Sequence, residues 1–395
     1  MLYREDPKSG NQLSILGLGC MRFVRGITGQ IDIDRAEALC KAAVEAGVNY
    51  FDTAYVYGGS EQALGQVFAR NPGLRTKIYL ATKLPVHNCK AYEDFDKIFG
   101  QQLERLRTDN VDYYLIHNLT SLADWEGLVA LGIEGWIQEK KAAGQIKQLG
   151  FSFHGTQVEF FKLLEAWPWE FVQIQYNYSN ENYQAGRLGL QKAHEMGLPV
   201  IIMEPLLGGK LANGLPKKAE QLLAGAAPDR SPASWAMRWI WDQPECTLAL
   251  SGMNAPEQLE DNVKTANESP AGCLDERERQ ALQSAGDAFR ETFKIPCTGC
   301  NYCMPCPKGV NIPGCFAAYN ASRAVGLFTG FQQYFSSTDA VHPATCHSPY
   351  QCVQCGQCEK KCPQNIAIMA RLRDVRKKFE PRIFHTVLKL AAKRK

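Results

Sequence analysis

Three apolar runs in this 395-residue chain each end on a polar residue able to take part in proton transfer. Asn49-Tyr50-Phe51 runs into Asp52, Ile78-Tyr79-Leu80-Ala81-Thr82 into Lys83, and Val111-Asp112-Tyr113-Tyr114-Leu115-Ile116 into His117. Tyr57 lies in the loop after Asp52, just before the turn Gly58-Gly59. Each run reads as a strand, so the four side chains stand at or just past strand carboxyl ends. A cation beside a phenol lowers the phenol's pKa, and a carboxylate beside the cation keeps it charged. Lys83 would therefore activate Tyr57, Asp52 would hold Lys83 charged, and His117 would orient a carbonyl group for reduction.

A second set of chemistry-bearing residues lies towards the C-terminus. Ten of the fifteen cysteines fall between Cys297 and Cys362. They include Cys297-x-x-Cys300-x-x-Cys303-x-x-Cys306-Pro307 and Cys352-x-x-Cys355-x-x-Cys358-x-x-x-Cys362-Pro363. Three cysteines at three-residue spacing let one short loop wrap a cubane cluster, with the cysteine before proline displaced from that loop. This pattern resembles two-cluster ferredoxins, in which the displaced cysteine reaches over to the other cluster. The resemblance implies one 4Fe–4S cluster on Cys297, Cys300, Cys303 and Cys362, and another on Cys352, Cys355, Cys358 and Cys306. The first run departs from the pattern, with two residues rather than three before its last cysteine. Zinc held by Cys-x-x-Cys pairs is the alternative. The long, helix-like stretch Phe316–Phe335 between the runs favours a mainly α-helical ferredoxin-like arrangement. Cys315 and Cys346 read as ordinary thiols, and Cys20, Cys40, Cys89, Cys246 and Cys273 need no role.

Length and composition suit one large domain and a smaller one. No apolar run approaches a membrane span, and Met1-Leu2-Tyr3-Arg4-Glu5-Asp6 carries no apolar signal region. The expectation is a cytoplasmic protein with neither a nucleic-acid partner nor a membrane span. The net charge of +3 is uneven: Arg371–Lys395 holds ten Lys or Arg against Asp374 and Glu380. That tail, with Ile383, Phe384, Val387, Leu388 and Ala391 at helical spacing, reads as a basic amphipathic helix. It either packs on the rest of the chain or steers an acidic one-electron carrier, ferredoxin or flavodoxin, to the cysteine-rich domain.

The elements that would position the first set alternate strictly. Strands are expected at Ile15–Cys20, Tyr50, Ile78–Lys83, Val111–His117, Ile146–Phe153, Phe171–Tyr176, Val200–Glu204 and Thr247–Ser251. Helices between them are expected near Asp34–Ala46, Glu61–Ala69, Phe95–Arg107, Gly135–Ala143, Gln157–Ala166, Gln184–Glu195, Ser234–Trp241 and Pro256–Asn267. Eight strand–helix units over this length match an α/β fold of the (β/α)8 TIM-barrel type. A doubly wound open sheet is the alternative, but Gly17-Leu18-Gly19 lacks the third glycine of its phosphate turn. The segment Asn118–Gly135 reads as a long loop over the barrel mouth, with Trp125 and Leu128 lining a pocket or capping the barrel. The expected domains are 1–285 for the barrel, 286–370 for the iron–sulfur domain and 371–395 for the tail.

Taken in order, Leu16-Gly17-Leu18-Gly19, Asp52-Thr53-Ala54-x-x-Tyr57-Gly58-x-Ser60-Glu61, the Lys83 and His117 strands, Leu149-Gly150-Phe151-Ser152, Gln175-Tyr176-Asn177, Pro205-Leu206-x-Gly208-Gly209 and Glu257–Asn262 resemble the aldo/keto reductase superfamily. The resemblance is closest to its subgroup with a C-terminal ferredoxin-type domain. It implies an NAD(P)H-dependent oxidoreductase that reduces an aldehyde or ketone, or oxidises the alcohol, with the tetrad Tyr57, Lys83, Asp52 and His117. It also implies Tyr176 stacking on the nicotinamide, Gln175 and Ser152 at its carboxamide, Pro205 and Leu206 on the pyrophosphate side, and Gln258 and Asn262 on the adenine side. His154 and Glu204 depart from the family's usual residues. No Lys or Arg lies between Gly252 and Asn262, so NADH is expected to serve at least as well as NADPH unless Lys210 or Lys217 supplies the charge. Hydride moves two electrons and iron–sulfur clusters move one. Three arrangements follow: a carbonyl reductase with structural clusters, a reductase wired to a redox partner, and an electron-transfer module on a barrel scaffold.

Overall fold

The structure is a computed structural model that describes residues 1–324, 326–340 and 346–380. The apolar positions of the expected tail helix, Ile383 to Ala391, lie outside the described residues. The chain forms two compact units. The first comprises Met1–Leu206 and Ala227–Leu282, the second Leu207–Ala226 and Gln283–Lys395.

The first unit begins with an antiparallel hairpin, β1 (Tyr3–Glu5) and β2 (Gln12–Ser14). Then β3 (Leu16–Gly19), β4 (Tyr50–Asp52), β5 (Tyr79–Pro85), β6 (Val111–Leu119), β7 (Ile146–Phe153), β8 (Phe171–Gln175), β9 (Val200–Met203) and β10 (Cys246–Ser251) pair in parallel, each with the next. The ring closes through β10 and β3. This is the eight-stranded barrel expected of the strand–helix alternation.

Side chains alternate across each strand, and the two rows have different company. Tyr50, Ala81, Tyr113, Leu115, Phe171, Ile201, Leu248 and Leu250 pack inside the ring, with Leu13 of the hairpin. Phe51, Leu80, Tyr114, Ile116, Leu149, Phe151, Val172, Ile174 and Ile202 pack outward into the helix layer. Gly150 makes room in the inner layer: a Cβ there would meet the carbonyl oxygen of Phe171 at 2.3 Å and its ring at 2.7 Å. The hairpin belongs to the N-terminal end, where Asp6 accepts a hydrogen bond from the Tyr113 hydroxyl (2.7 Å) and Asn11 donates to the same oxygen (3.1 Å).

The helix layer contains α1 (Ile33–Glu45), α2 (Ser60–Arg70), α3 (Glu93–Leu106), α4 (Leu122–Ala130), α5 (Ile133–Ala142), α6 (Gln157–Ala166) and α7 (Gly186–Glu195). Next in sequence, the short α8 (Lys210–Asn213) and α9 (Lys217–Ala226) belong to the second unit. The layer continues with α10 (Pro232–Trp241) and α11 (Pro256–Asn267), and α12 (Glu276–Thr292) leaves it. Several helices open on side-chain caps, Asp32 for α1, Thr156 for α6 and Ser231 followed by proline for α10. The stretch expected to be a loop over the mouth is α4, opened by a Ser121–Asp124 capping box. Trp125 and Leu128 are buried in the helix layer, the Trp125 ring 4.8 Å from that of Trp169.

Beyond α12 the described part of the second unit is helical, with α13 (Ile312–Ala324), α14 (Leu327–Thr338), α15 (Gln357–Lys360) and α16 (Ile368–Phe379). Its core joins Ile295, Val310, Phe316, Tyr334, Ile366, Leu372, Val375 and Phe379, and Cys297, Cys303, Cys306, Cys352, Cys358 and Cys362 border it.

Candidate active site and cysteine loops

Asp52, Lys83 and His117 fall on the inner row, at the carboxyl ends of β4, β5 and β6. Lys83 is fully buried, and its ammonium donates to Asp52 Oδ1 at 2.5 Å and to the Thr53 carbonyl at 2.7 Å. Burial pulls the Lys83 pKa below its ordinary value, and the Asp52 carboxylate pushes it back up. The Lys83 nitrogen stands 5.0 Å from the centre of the Tyr57 ring. The His117 ring meets the same phenol edge-on, 6.0 Å between centroids at 85°. Burial, then the Lys83 cation and then His154 and His87, hold the His117 pKa well below 6.5. Its imidazole is therefore neutral at physiological pH and has one N–H to donate.

The loop carrying Tyr57 is tied at both ends. Thr53 N–H donates to the Ala81 carbonyl (2.9 Å), and the Thr53 hydroxyl donates to Ser60 Oγ (2.8 Å), which in turn donates to the Cys20 carbonyl (3.0 Å). Gly59 turns the chain into α2 at φ 84°, a conformation that favours glycine. Behind Lys83, Gln102 Nε2 donates to the Lys83 carbonyl (3.0 Å) and to Glu61 Oε1 (2.9 Å), while Thr82 donates to the same oxygen (2.6 Å). Arg105 pairs with the other Glu61 oxygen at 3.1 Å. This buried network fixes the backbone of β5 around the lysine.

Sequence reasoning passed over Gln173. On the inner row of β8, it donates Nε2 to Asp52 Oδ2 at 2.9 Å, so both carboxylate oxygens are engaged. Tyr176 belongs to the outward row. Its ring lies 4.8 Å from that of Trp239 and its hydroxyl donates to Gln243 at 2.9 Å. A ring held in the helix layer cannot stack on a nicotinamide at the barrel mouth, which corrects that expectation. Gln175 shares the inner row with Gln173 and is buried. The buried hydroxyl of Ser152 accepts from the Asn118 N–H at 2.8 Å. His154 is also buried, which lowers its pKa to about 4 against the opposing effect of a hydrogen bond with Gln184.

On the expected adenine side, Gln258 is exposed and its Oε1 accepts from Asn254 N–H (2.9 Å). Asn262 is buried, donates to Ser251 Oγ (3.0 Å) and leaves its Oδ1 without a protein donor. A buried acceptor of this kind fits a polar ligand. Arg22, which no motif singled out, lays its side chain against Gly252, where a Cβ would meet Arg22 Cδ at 3.2 Å. A basic residue from the segment after β3 thus lies next to this cation-free stretch. Pro205 and Leu206 sit in a bend where Glu204, Leu207, Gly208 and Gly209 all have positive φ, between 48° and 90°. Two non-glycine residues held there store strain, at roughly 1–3 kcal/mol each. Lys210, the other expected source of charge, donates instead to the Cys297 carbonyl within the second unit.

The two cysteine loops share one backbone form. In each, the residues flanking the middle cysteine are left-handed: Gly299 (φ 71°) and Asn301 (φ 67°) around Cys300, Gln354 (φ 57°) and Gly356 (φ 74°) around Cys355. Burial raises the Cys303 thiol pKa to about 12, and Cys297, Cys300 and Cys362 add to the rise. Cys358 is raised to about 11 by burial first, with Glu359 and Cys352 contributing. Soft thiols on loops that each wind about a middle cysteine have the donor chemistry of a thiolate-held cluster.

Comparison with known proteins agrees with both halves. Residues 15–271 match the model of the aldo/keto reductase family, and residues 296–367 match that of a 4Fe-4S dicluster domain. The chain is 32% identical to the uncharacterized oxidoreductase YcsN of Bacillus subtilis, over 56% of this chain and 79% of that one. It is 28% identical to a 6-dehydroglucose reductase of Novosphingobium aromaticivorans, over 53% of this chain and 71% of that one. The structure of the aldo-keto reductase AKR11C1 from Bacillus halodurans, in its holo form, superposes with a TM-score of 0.59 at 25% identity, covering 72% of this chain and 96% of that one. The first match spans the barrel from its first strand to beyond its last, and by it this chain belongs to the aldo/keto reductase family, with a 4Fe-4S dicluster domain following the barrel in sequence.

Proposed function

We propose that the barrel interconverts a small aldehyde or ketone and its alcohol, with Tyr57 as the proton donor and acceptor. The observation that carries this reading is the buried Lys83–Asp52 ion pair, with its cation 5.0 Å from the Tyr57 ring and the His117 ring across the same phenol. A cation in a desolvated site favours the phenolate, so Tyr57 gives up its proton more readily. Asp52 keeps Lys83 charged despite burial, and Gln173 fixes the carboxylate. Neutral His117 donates its N–H to the carbonyl oxygen and so sets the substrate's orientation. A bound NADH or NADPH supplies or accepts the hydride. Ser152, Gln175, Pro205, Leu206, Gln258, Asn262 and Arg22 are the residues proposed to hold it. Tyr57→Phe should lower kcat by on the order of 10²–10⁴-fold with cofactor affinity nearly unchanged. Wild-type turnover in that variant would remove Tyr57 from the mechanism.

For the second unit we read two 4Fe–4S clusters, one on Cys297, Cys300, Cys303 and Cys362, the other on Cys352, Cys355, Cys358 and Cys306. Bound there, such clusters would supply one-electron transfer to or from an outside carrier, in a compartment reducing enough to keep thiolates available. Among the described residues no helix is long and apolar enough to cross a membrane.

A further inference from the structure

Of the fifteen cysteines, Cys355 alone is exposed. Around it the loop after Ser348 presents apolar surface, with Val353 59% and Tyr350 41% exposed. Helix α16 borders that loop with cations. The Arg376 guanidinium lies 4.8 Å from the centre of the Tyr350 ring, and Arg373 donates to Gln354 Oε1 at 3.2 Å. Lys377, Lys360 and Lys361 are exposed beside them in the sequence. From Tyr350 to Glu380 there are seven Lys or Arg and three acids, a net charge of +4. All three acids are engaged internally. Glu359 accepts from Met369 N–H (2.8 Å), Asp374 pairs with Arg371 (3.0 Å), and Glu380 is buried against the Tyr334 hydroxyl (2.6 Å). The other cysteine loop differs: Pro296–Gly309 carries Lys308 as its single charge, and its cysteines are only partly exposed.

We propose that an acidic one-electron carrier protein docks on the surface made by the Tyr350–Gln357 loop and the exposed side of α16. It exchanges electrons there with the cluster on Cys352, Cys355 and Cys358, not with the other cluster. The exposed ligand gives the shortest path from solvent, Val353 and Tyr350 give a small apolar centre, and the cations give a rim complementary to acids. In the reductive direction the carrier loses one electron and the oxidised cluster gains it; no proton or bond is exchanged. A small, charge-steered contact of this type suits a transient redox encounter. The inference rests on the reading of the cysteines as cluster ligands.

The test is stopped-flow reduction of the anaerobically reconstituted full chain by reduced plant-type 2Fe–2S ferredoxin, which is acidic. Wild-type protein should be reduced at a second-order rate that falls steeply from 50 to 500 mM salt. The triple variant R373Q/R376Q/K377Q should be at least tenfold slower at low salt and far less salt-sensitive. Val353→Ser should slow reduction without changing its salt dependence. Reduction by dithionite, NAD(P)H-dependent carbonyl reduction and iron content should be unchanged in these variants, and K41Q/K192Q, in the barrel unit, should behave as wild type. Equal rates for wild type and triple variant, or a wild-type rate indifferent to salt, overturn the docking surface. So does slow reduction by ferredoxin combined with binding of phosphatidylserine vesicles that the triple variant loses, which would assign the basic face to a membrane. A reconstituted chain without iron would refute the cluster reading instead.

Discussion

Gln173 of β8 donates to one oxygen of Asp52 while Lys83 of β5 holds the other, so the carboxylate is pinned from two strands of the barrel. A hydrogen bond to a charged group contributes about 1.5–3 kcal/mol. Gln173→Leu should therefore lower kcat/KM by about tenfold or more, because Asp52 is then free to rotate away from Lys83. Gln173→Glu places a second carboxylate against Asp52, and two such groups cannot both ionise cheaply. Its pH–rate profile should shift to higher pH on the acidic limb, whereas Gln173→Leu should leave that limb in place. Unchanged profiles and rates in both variants would reduce Gln173 to a packing residue.

The buried histidines make the barrel acid-labile. The His154 pKa falls to about 4 in the folded chain from an ordinary 6.5, and that of His117 is lowered in the same direction. Below pH 6.5 the unfolded chain binds protons that the folded chain refuses, so stability is complete above that pH and drains as pH falls towards 4. For His154 the loss is on the order of 3 kcal/mol. Urea unfolding at pH 7.5 and pH 5 should show a smaller loss in His154→Gln than in wild type. Identical losses in the two proteins would mean that His154 is not held neutral by burial.

The fold was legible where both periodicity and punctuation were present. The expected Ile146–Phe153 and Gln157–Ala166 agree with the observed elements to the residue. α4 went unread although its signal was there, a Ser-x-x-Asp capping box at Ser121–Asp124. The three-residue hairpin strands are too short for any period to register. At the site, Asp52, Lys83 and His117 stood out as polar ends of apolar runs, but Gln173 did not. Parallel barrel strands are buried on both faces, so Phe171-Val172-Gln173-Ile174-Gln175-Tyr176 does not reveal which row turns inward. That parity separates Gln173, inside, from Tyr176, outside. Arg22 was invisible for a different reason: its neighbour Gly252 comes from the opposite end of the barrel sequence.

Arg22 changes the expectation about the nicotinamide cofactor. Gly252–Asn262 has no cation of its own, and Lys210 is taken up by Cys297 in the second unit. Arg22, whose side-chain carbons lie against Gly252, is the basic residue beside that stretch, and a guanidinium there would suit a phosphate. Arg22→Gln should weaken NADPH binding more than NADH binding if it meets the 2′-phosphate, and both equally if it meets the pyrophosphate. Fluorescence titration with both cofactors separates the two. No loss of affinity for either would return the site to the cation-poor, NADH-accepting form.

The iron–sulfur unit offers a check on which cysteines belong together. Reconstituted protein should hold eight irons and eight sulfides, and a stoichiometric zinc content would defeat the cluster reading. The Lys210 ammonium donates to the Cys297 carbonyl, and so would add positive charge beside the cluster proposed on Cys297, Cys300, Cys303 and Cys362. Charge and hydrogen bonding around a cluster set its potential, and a nearby cation favours the more negative reduced state. Lys210→Met should move one cluster to a more negative potential by about 59 mV, a tenfold change in its one-electron equilibrium, and leave the other where it was. The proposed sharing of one cluster by Cys362 and Cys303 makes the comparison decisive. An electron paramagnetic resonance titration of Cys362→Ser should alter the same signal that Lys210→Met shifts. If the two substitutions act on different signals, Cys362 belongs to its own loop's cluster and the cross-over is wrong.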